Sequence, residues 1–170
     1  MNIRLIKGFV IALVGLFVFI TLLSLFIPSR VMISRGVVIH AGAAKVFDQV
    51  SNLPNWKNWQ PVFKNDSARI RFGNNSAEWT SQNRANTIIV TSRSENSISA
   101  SLKREGENTV LNTIRILPLA DSNQVQAEWN VLIKLKWYPW EKFYGIFIEK
   151  ITGQGYEDAL NGLKAYCEEH

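Results

Sequence analysis

A run of twenty residues without a charge, from position 8 to position 27, restricts the structures open to this chain more than any other feature. As an α-helix the run would be about 30 Å long, which matches the hydrocarbon core of a bilayer. Arg4 and Lys7 precede it, and Pro28 follows it and ends the helix. We therefore predict a basic flank at residues 1–7, a transmembrane helix at residues 8–27 and a folded domain at residues 28–170.

A cleaved signal peptide is the main alternative, because it also combines a positive flank with an apolar stretch. The run is longer than the usual apolar region of a signal peptide, about 7–15 residues. No pair of small residues suited to cleavage lies near Phe26. These features favour an uncleaved single-pass anchor over a signal peptide and over a buried helix of a soluble protein.

The charges on the two sides of the run nearly balance. Arg4 and Lys7 lie on one side, and Arg30, Arg35 and Lys45 lie on the other. Compact positive flanks tend to stay in the cytoplasm. Because Arg4 and Lys7 form the more compact cluster, we expect a cell-membrane protein whose folded domain lies on the extracytoplasmic side.

Composition excludes several classes of function. The net charge is +5, and it falls to +3 once the first 27 residues are left out. The basic residues are scattered and form no continuous face, so we expect no nucleic-acid partner. Cys167 is the only cysteine, and His40 and His170 are the only histidines. These residues cannot supply an intramolecular disulfide or a site of several Cys or His ligands, and we expect neither a metal nor another cofactor.

The folded domain begins with a strand and two short helices. Residues 31–39 alternate between apolar and polar side chains, which predicts a strand. Apolar residues at helical spacing then predict a helix at residues 43–52. Pro54 begins a second short helix that contains Trp56 and Trp59.

The middle of the domain has the pattern of an antiparallel sheet. Apolar and polar residues alternate over short segments that turn residues such as Gly73 and Gly106 separate. The pattern predicts six strands, at residues 67–72, 76–80, 86–93, 97–102, 110–116 and 125–137.

From Glu141 onwards the spacing of apolar residues becomes helical and continues nearly to the C-terminus. We expect one long helix whose apolar stripe packs on the sheet. The members of that stripe are Phe143, Phe147, Ile151, Leu160 and Leu163. With one strand before the short helices and six after them, the domain is expected to be α+β.

The segment VVIHAGAAKVFDQVSNLPNWKNWQP resembles the opening of the START/Bet v 1-like superfamily, also described as SRPBCC or polyketide cyclase/dehydrase-like proteins. Such proteins have a strand that ends in an apolar-Ala turn, then a Val-Phe helix, then an Asn-Trp-x-x-Trp segment. Here these features correspond to residues 37–41, 46–47 and 55–59. The likeness extends over roughly residues 31–168, and some relatives also have a preceding membrane helix. Gly42 departs from the pattern, because many relatives have proline there.

The resemblance implies a helix-grip fold, in which a curved seven-stranded antiparallel sheet surrounds a long C-terminal helix. In relatives the cavity between sheet and helix often holds a hydrophobic ligand. The family includes lipid carriers, cyclases and chaperone regulators, so the fold alone does not assign an activity.

Several inward-facing positions are candidates for contact with a ligand. They are apolar, and the same residues would also form an ordinary packed core. The resemblance favours a cavity. The predicted ligand-binding residues are Trp79, Ile98, Ala100, Leu102, Ile114, Trp129, Phe147 and Ile151.

No residue is predicted to be catalytic. The chain has no H-E-x-x-H, G-x-S-x-G, phosphate-loop or Cys-His pattern. Glu78 and Glu128 each precede a strand tryptophan, and alternation places both on the outer face of the sheet. His40 is expected to be a turn histidine at the corner between strand and helix.

A group of aromatic residues has two possible roles. Trp56 and Trp59, together with Trp137, Tyr138 and Trp140, could lie at the membrane interface, which suits amphipathic rings. Packing of the same residues inside the domain is the alternative, and it is favoured.

These observations lead to three hypotheses of different kinds. The first is a membrane-anchored helix-grip domain that binds a hydrophobic small molecule or lipid and performs no chemical step. The second is a protein-interaction module at the membrane, and the third is a cyclase- or dehydratase-like enzyme.

Overall fold

A computed structural model describes residues 3–65, 69–81, 83–120 and 123–170 of the chain. The helices are α1 (Ile3–Ser24), α2 (Ala43–Ser51), a 3₁₀ helix (Leu53–Asn58), α3 (Pro61–Asn65) and α4 (Pro139–Glu169). The strands are β1 (Arg30–Ile39), β2 (Arg71–Phe72), β3 (Ser76–Ser81), β4 (Arg84–Arg93), β5 (Ser97–Arg104), β6 (Val110–Pro118) and β7 (Val125–Lys134).

The seven strands form one antiparallel sheet in the order β1-β7-β6-β5-β4-β3-β2. Each of β3 to β7 pairs with the strand before it, as expected for a meander. Strand β1 pairs with β7, so β1 and β2 are the two edge strands of the sheet. Together with α4 this is the helix-grip arrangement, so the predicted α+β class and the predicted fold are confirmed.

Two predicted strands are shorter in the structure than in the prediction. The strand predicted at residues 67–72 is limited to Arg71–Phe72, and positions 67 and 68 lie outside the described residues. The strand predicted at residues 125–137 ends at Lys134, because Leu135 donates its backbone N–H to Ser29 and the chain then turns toward Pro139. Trp137 therefore lies outside the sheet and is 71% exposed.

The core lies between α4 and one face of the sheet, and Trp129 is at its centre. The Trp129 ring makes edge-to-face contacts with Trp56, Trp59 and Tyr156, at centroid distances of 5.8, 6.1 and 5.2 Å. Trp56 and Trp59 are each 2% exposed, and their indole N–H groups donate to backbone carbonyls of α2. Their role is therefore packing, which leaves the interfacial alternative to Trp137 and Trp140.

The predicted register of the C-terminal helix is right in its second half and wrong in its first. Leu160 and Leu163 are buried, whereas Phe147 is 58% exposed. Two glycines of α4 lie in close contacts: a Cβ atom at Gly145 would lie 2.2 Å from Leu135 Cδ1, just after β7, and one at Gly162 would lie 2.3 Å from the carbonyl oxygen of Trp59, just after the 3₁₀ helix. These close approaches are local, and Ile148 fills the next packed position of the first half, so Phe147 takes an exposed side of the helix.

Helix α1 is attached to the domain at its C-terminal end. Among the described residues, Ile6–Ser24 is the one helix that is long and apolar enough to cross a membrane. Its most apolar stretch of 18 residues has no buried residue. Length and composition describe a membrane span and a signal sequence equally well. The last turn ends at Ser24, which is completely buried, and α1 contacts α4.

Candidate functional site

A cavity of about 940 Å³ lies between α4 and the inner face of the sheet. Strands β3 to β7 supply one wall, because every second side chain of a strand points to the same face. The 3₁₀ helix, α3 and α4 supply the remaining walls.

The inner end of the cavity is apolar and aromatic. Trp56, Phe63 and Trp129 are 2–3% exposed, and they line the cavity together with Trp79. Phe63 packs on Trp79 at a centroid distance of 5.1 Å and on Trp56 at 5.5 Å. These contacts join the three rings into one continuous aromatic wall.

Two buried asparagines interrupt the apolar wall. Asn112 is 4% exposed; its Oδ1 accepts the Trp129 indole N–H at 3.1 Å, and its Nδ2 donates to the carbonyl of Val110 at 3.3 Å. Asn86, also 4% exposed, donates to the carbonyl of Arg84 at 3.0 Å. Buried amides require such partners, which hold both side chains in one orientation.

Arg104 extends the inward-facing row of β5 to the outer part of the cavity, where it pairs with Asn86 across the sheet. One guanidinium nitrogen, Nη1, lies 3.5 Å from Glu107 Oε1. The Nε atom is buried and has no hydrogen-bond partner among the described residues. A buried unpaired donor is destabilising by about 1–3 kcal/mol. The Arg104 side chain as a whole is 33% exposed, so the accessible part of its guanidinium is available to an acceptor group of a ligand.

Tyr156 contributes a phenol to the same cavity from α4. Burial raises the pKa of Tyr156 to about 12, because the apolar surroundings disfavour the phenolate. The hydroxyl is therefore neutral near pH 7. It can donate or accept a hydrogen bond, and it is not a general base there.

The mouth of the cavity lies where the lining residues are exposed. These are Glu107 in the turn after β5, Lys136 after β7, and Tyr144 and Ile151 on α4. Asn108 donates a hydrogen bond to Glu141 and so joins the turn to the start of α4. Strand β1 begins at this same end of the sheet, because Arg30 pairs with Lys134 at the end of β7.

The predicted ligand-contact residues divide into three groups. Trp79, Leu102, Trp129 and Ile151 line the cavity. Three others, Ile98, Ala100 and Ile114, are 2–4% exposed and pack in the core without lining it.

Phe147 forms the third group, and its predicted inward orientation is wrong. It lies on the exposed side of α4, outside the cavity, because Gly145 and Ile148 occupy the side of this turn that faces the sheet. Contact with a ligand in the cavity is therefore no longer expected of this residue.

The predicted ligand-contact residues included none of the charged, amide or hydroxyl side chains that line the cavity. Asn86, Arg104 and Asn112 each occupy an inward position of an alternating strand, and that alternation was the signal that could have located them. Tyr156 carried no such signal, because its place depends on the register of α4.

The candidate acid-base residues lie away from the cavity. Glu78 and Glu128 are on the outer face of the sheet, as predicted, next to Trp79 and Trp129 on the inner face. His40 contacts a carboxylate that the sequence spacing did not indicate: its backbone N–H and its Nδ1 lie 2.8 and 2.9 Å from Glu168 Oε1. Within the described part of the chain, no three His, Cys, Asp or Glu side chains converge as a metal site would require.

Comparison of the sequence with protein families gives a match over most of the chain. A profile of the family described as polyketide cyclase / dehydrase and lipid transport matches residues 30–168. No curated protein sequence matches the chain significantly.

Solved structures share the fold over nearly the whole domain. A START superfamily protein from Mycobacterium smegmatis is 18% identical, with a TM-score of 0.62 over 81% of this chain and 97% of that chain. The Zhui aromatase/cyclase from Streptomyces sp. R1128 is 11% identical, with a TM-score of 0.60 over 82% and 94%. A truncated norcoclaurine synthase from Thalictrum flavum is 12% identical, with a TM-score of 0.59 over 83% and 95%. At these identities the likeness is one of fold.

Proposed function

The chain belongs to the polyketide cyclase / dehydrase and lipid transport family, and from this premise we propose that it is a membrane-anchored domain that binds a hydrophobic small molecule or lipid. The ligand occupies the cavity between the sheet and α4, and the protein performs no chemical step on it. The cavity itself carries the proposal. Its volume of about 940 Å³ is at the upper end of the range for small-molecule sites, roughly 300–1,000 Å³.

The distribution of polarity in the cavity suits an amphipathic ligand. An apolar chain or ring system fits against Trp56, Phe63 and Trp129, which offer contact area and few polar atoms. A hydrogen-bond-accepting group at the other end of the ligand would meet the guanidinium of Arg104, whose side chain lines the cavity and is 33% exposed. The ligand therefore enters with its apolar part first.

Helix α1 acts as the anchor in this proposal. A domain tethered to a bilayer meets membrane-derived ligands at a much higher effective concentration than a free domain does. We propose that α1 spans the cell membrane and that residues 28–170 lie on the extracytoplasmic side. Protease treatment of intact cells tests the orientation, since digestion of the domain without lysis would support it.

A cyclase- or dehydratase-like activity has less support in the described cavity. Its two lining carboxylates, Glu107 and Glu141, lie at the mouth. Glu107 pairs with two arginines, at 2.9 and 3.5 Å, and Glu141 accepts a hydrogen bond from Asn108. Neither carboxylate is directed at the apolar end where a bound chain would lie.

Binding of a fluorescent fatty acid to the full-length protein in detergent tests the proposal. Gly155 lines the cavity, and a Cβ atom added there meets nothing within 4 Å. Gly155→Leu places a side chain in the open space and should weaken probe binding several-fold while the melting temperature is retained. Gln154→Leu, on the exposed neighbouring position, is the matched control and should bind as the wild type does.

Solvent extraction of the purified protein followed by mass spectrometry identifies a copurified ligand. Equal probe binding by the wild type and Gly155→Leu, together with an extract free of lipid, would overturn the proposal. Arg104→Gln tests the contact between Arg104 and the polar group of the ligand separately from the apolar contacts. This variant should weaken binding of a fatty acid more than binding of the corresponding fatty alcohol.

A further inference from the structure

The first half of α4 and the loop before it expose a set of large apolar side chains that the core does not use. We call this set the apolar rim. It consists of Trp137 (71% exposed), Trp140 (64%), Tyr144 (48%), Phe147 (58%) and Ile151 (60%).

The rim is one continuous surface. Trp140, Tyr144, Phe147 and Ile151 are separated by four, three and four residues, which is the spacing of one helix face. Tyr138, the last residue before α4, stacks its ring on that of Trp140, with 4.6 Å between the ring centroids. A continuous exposed apolar surface indicates a site of contact with a membrane or another molecule.

The rim lies beside the point where α1 ends. Lys142, on the first turns of α4, donates hydrogen bonds to the carbonyl of Ile27 and to the hydroxyl of Ser29. The end of the apolar run is thereby held against the same turns that carry Trp140 and Tyr144. Leu25 and Phe26, 66% and 87% exposed, extend the apolar surface on the α1 side.

The rim also surrounds part of the cavity mouth. Tyr144 and Ile151 belong to the rim and at the same time line the cavity. A membrane or molecule that covers the rim would therefore lie directly at the entrance to the cavity.

The charges around the rim are suited to an anionic lipid surface. Arg30, Lys134 and Lys136 are exposed at this end of the sheet. The nearby carboxylates have partners within the domain: Glu141 binds Asn108, and Glu149 lies 3.2 Å from Arg35. Aromatic rings next to basic side chains are the composition of segments that lie at membrane interfaces.

We infer that the apolar rim inserts into the interfacial region of the same bilayer that α1 spans, so that the mouth of the cavity opens toward the lipids. This inference rests on the anchor assigned to α1 in the proposed function. The occupant of the rim is the lipid surface, because the rim continues from the end of the apolar helix and is flanked by basic residues. A ligand can then pass between bilayer and cavity without crossing bulk water.

Site-specific fluorophores on the full-length protein in vesicles test this inference. The vesicles contain phosphatidylcholine, phosphatidylglycerol and a lipid with a nitroxide quencher near its head group. Phe147→Cys carries the label on the rim, and Ile89→Cys, 49% exposed on the outer face of β4, is the matched control. Val14→Cys, 57% exposed on α1, reports insertion of the helix, and is measured with a nitroxide deep in the acyl chain.

The native thiol does not interfere with labelling. Cys167 is 1% exposed, and burial raises the pKa of its thiol to about 11, so the reactive thiolate is scarce at neutral pH. Unsubstituted protein gives the background.

The expected result is quenching at position 147 several-fold stronger than at position 89, with strong quenching at position 14. Equal weak quenching at 147 and 89, with position 14 quenched, would overturn the inference and leave the anchor intact. Protection of the label at 147 from aqueous iodide without nitroxide quenching would also overturn it, and would identify a protein or a second copy as the occupant. Absence of quenching at position 14 would overturn the anchor together with the inference.

Discussion

The ammonium group of Lys142 on α4 donates a hydrogen bond of 2.8 Å to the backbone carbonyl of Ile27, at the end of the apolar run. Lys142 is only 4% exposed, although lysine is among the residues that are most rarely buried. The carbonyl belongs to the segment between α1 and β1, beyond the last hydrogen-bonded turn of the helix. Lys142 therefore couples the position of the domain to the end of the helix.

Loss of this side chain should destabilise the attached domain. We expect Lys142→Met to lower the free energy of unfolding by about 1–3 kcal/mol, because the carbonyl of Ile27 loses its donor in a partly buried place. Lys150→Met, on an exposed position of the same helix, should change it by less than about 0.5 kcal/mol. Chemical denaturation of both full-length variants in detergent measures the difference. Equal values for the two variants would show that the Lys142 contact adds nothing to stability.

Two glycines of α4 should respond oppositely to the same substitution. Alanine stabilises a helix by roughly 0.5–1 kcal/mol relative to glycine, and Gly155 has open space for a Cβ atom. Gly155→Ala should therefore raise the melting temperature. At Gly162 the added atom would lie 2.3 Å from the backbone oxygen of Trp59, so Gly162→Ala should destabilise the domain by about 1–3 kcal/mol. Thermal melts distinguish the two cases, and a stabilised Gly162→Ala protein would mean that α4 lies farther from the 3₁₀ helix.

Adjacent residues on α4 report the register of its first half. Ile148 is 7% exposed, so Ile148→Ala should cost about 2–5 kcal/mol. Phe147 is 58% exposed, so Phe147→Ala should change stability by less than about 1 kcal/mol in detergent, since little of the ring is buried. Calorimetry of both variants provides the comparison. The reverse order of the two losses would restore the register in which Phe147 packs on the sheet.

Acid should weaken the contact that holds the last turn of α4 on the end of β1. Hydrogen bonds from the backbone N–H and then the ring of His40 lower the pKa of the Glu168 carboxyl. Because the folded-state pKa lies below the unfolded one, the contact stabilises the domain above the ordinary carboxyl range, about pH 4.3, and is lost as the pH falls through the folded-state value.

Glu168→Gln removes that titration. The variant should be less stable than the wild type at neutral pH, and the difference between them should shrink as the pH falls below about 4.3. Melting temperatures at a series of pH values test this expectation. A constant difference across the series would indicate that the carboxylate charge has no part in the contact.

Local patterns were sufficient for the strands and their faces. Successive side chains of a strand point to opposite faces of the sheet. Trp79 and Trp129 therefore face inward and Glu78 faces outward in almost any sheet that buries one face. The same holds for the apolar run at residues 8–27, whose length and lack of charge depend on no distant residue. The same alternation could have assigned Asn86 and Arg104 to the inner face, although the prediction did not include them.

The register of α4 depended on tertiary packing. An apolar stripe normally indicates the buried side of a helix, and here Phe147 and Ile151 are exposed because Gly145 and Ile148 occupy the packed side of the same half of α4. The distance between two packed elements decides which side of a helix must carry small residues. The sequence pattern does not contain that distance. The pairing of His40 with Glu168, 128 residues apart, is of the same kind, since it exists because the end of β1 meets the end of α4.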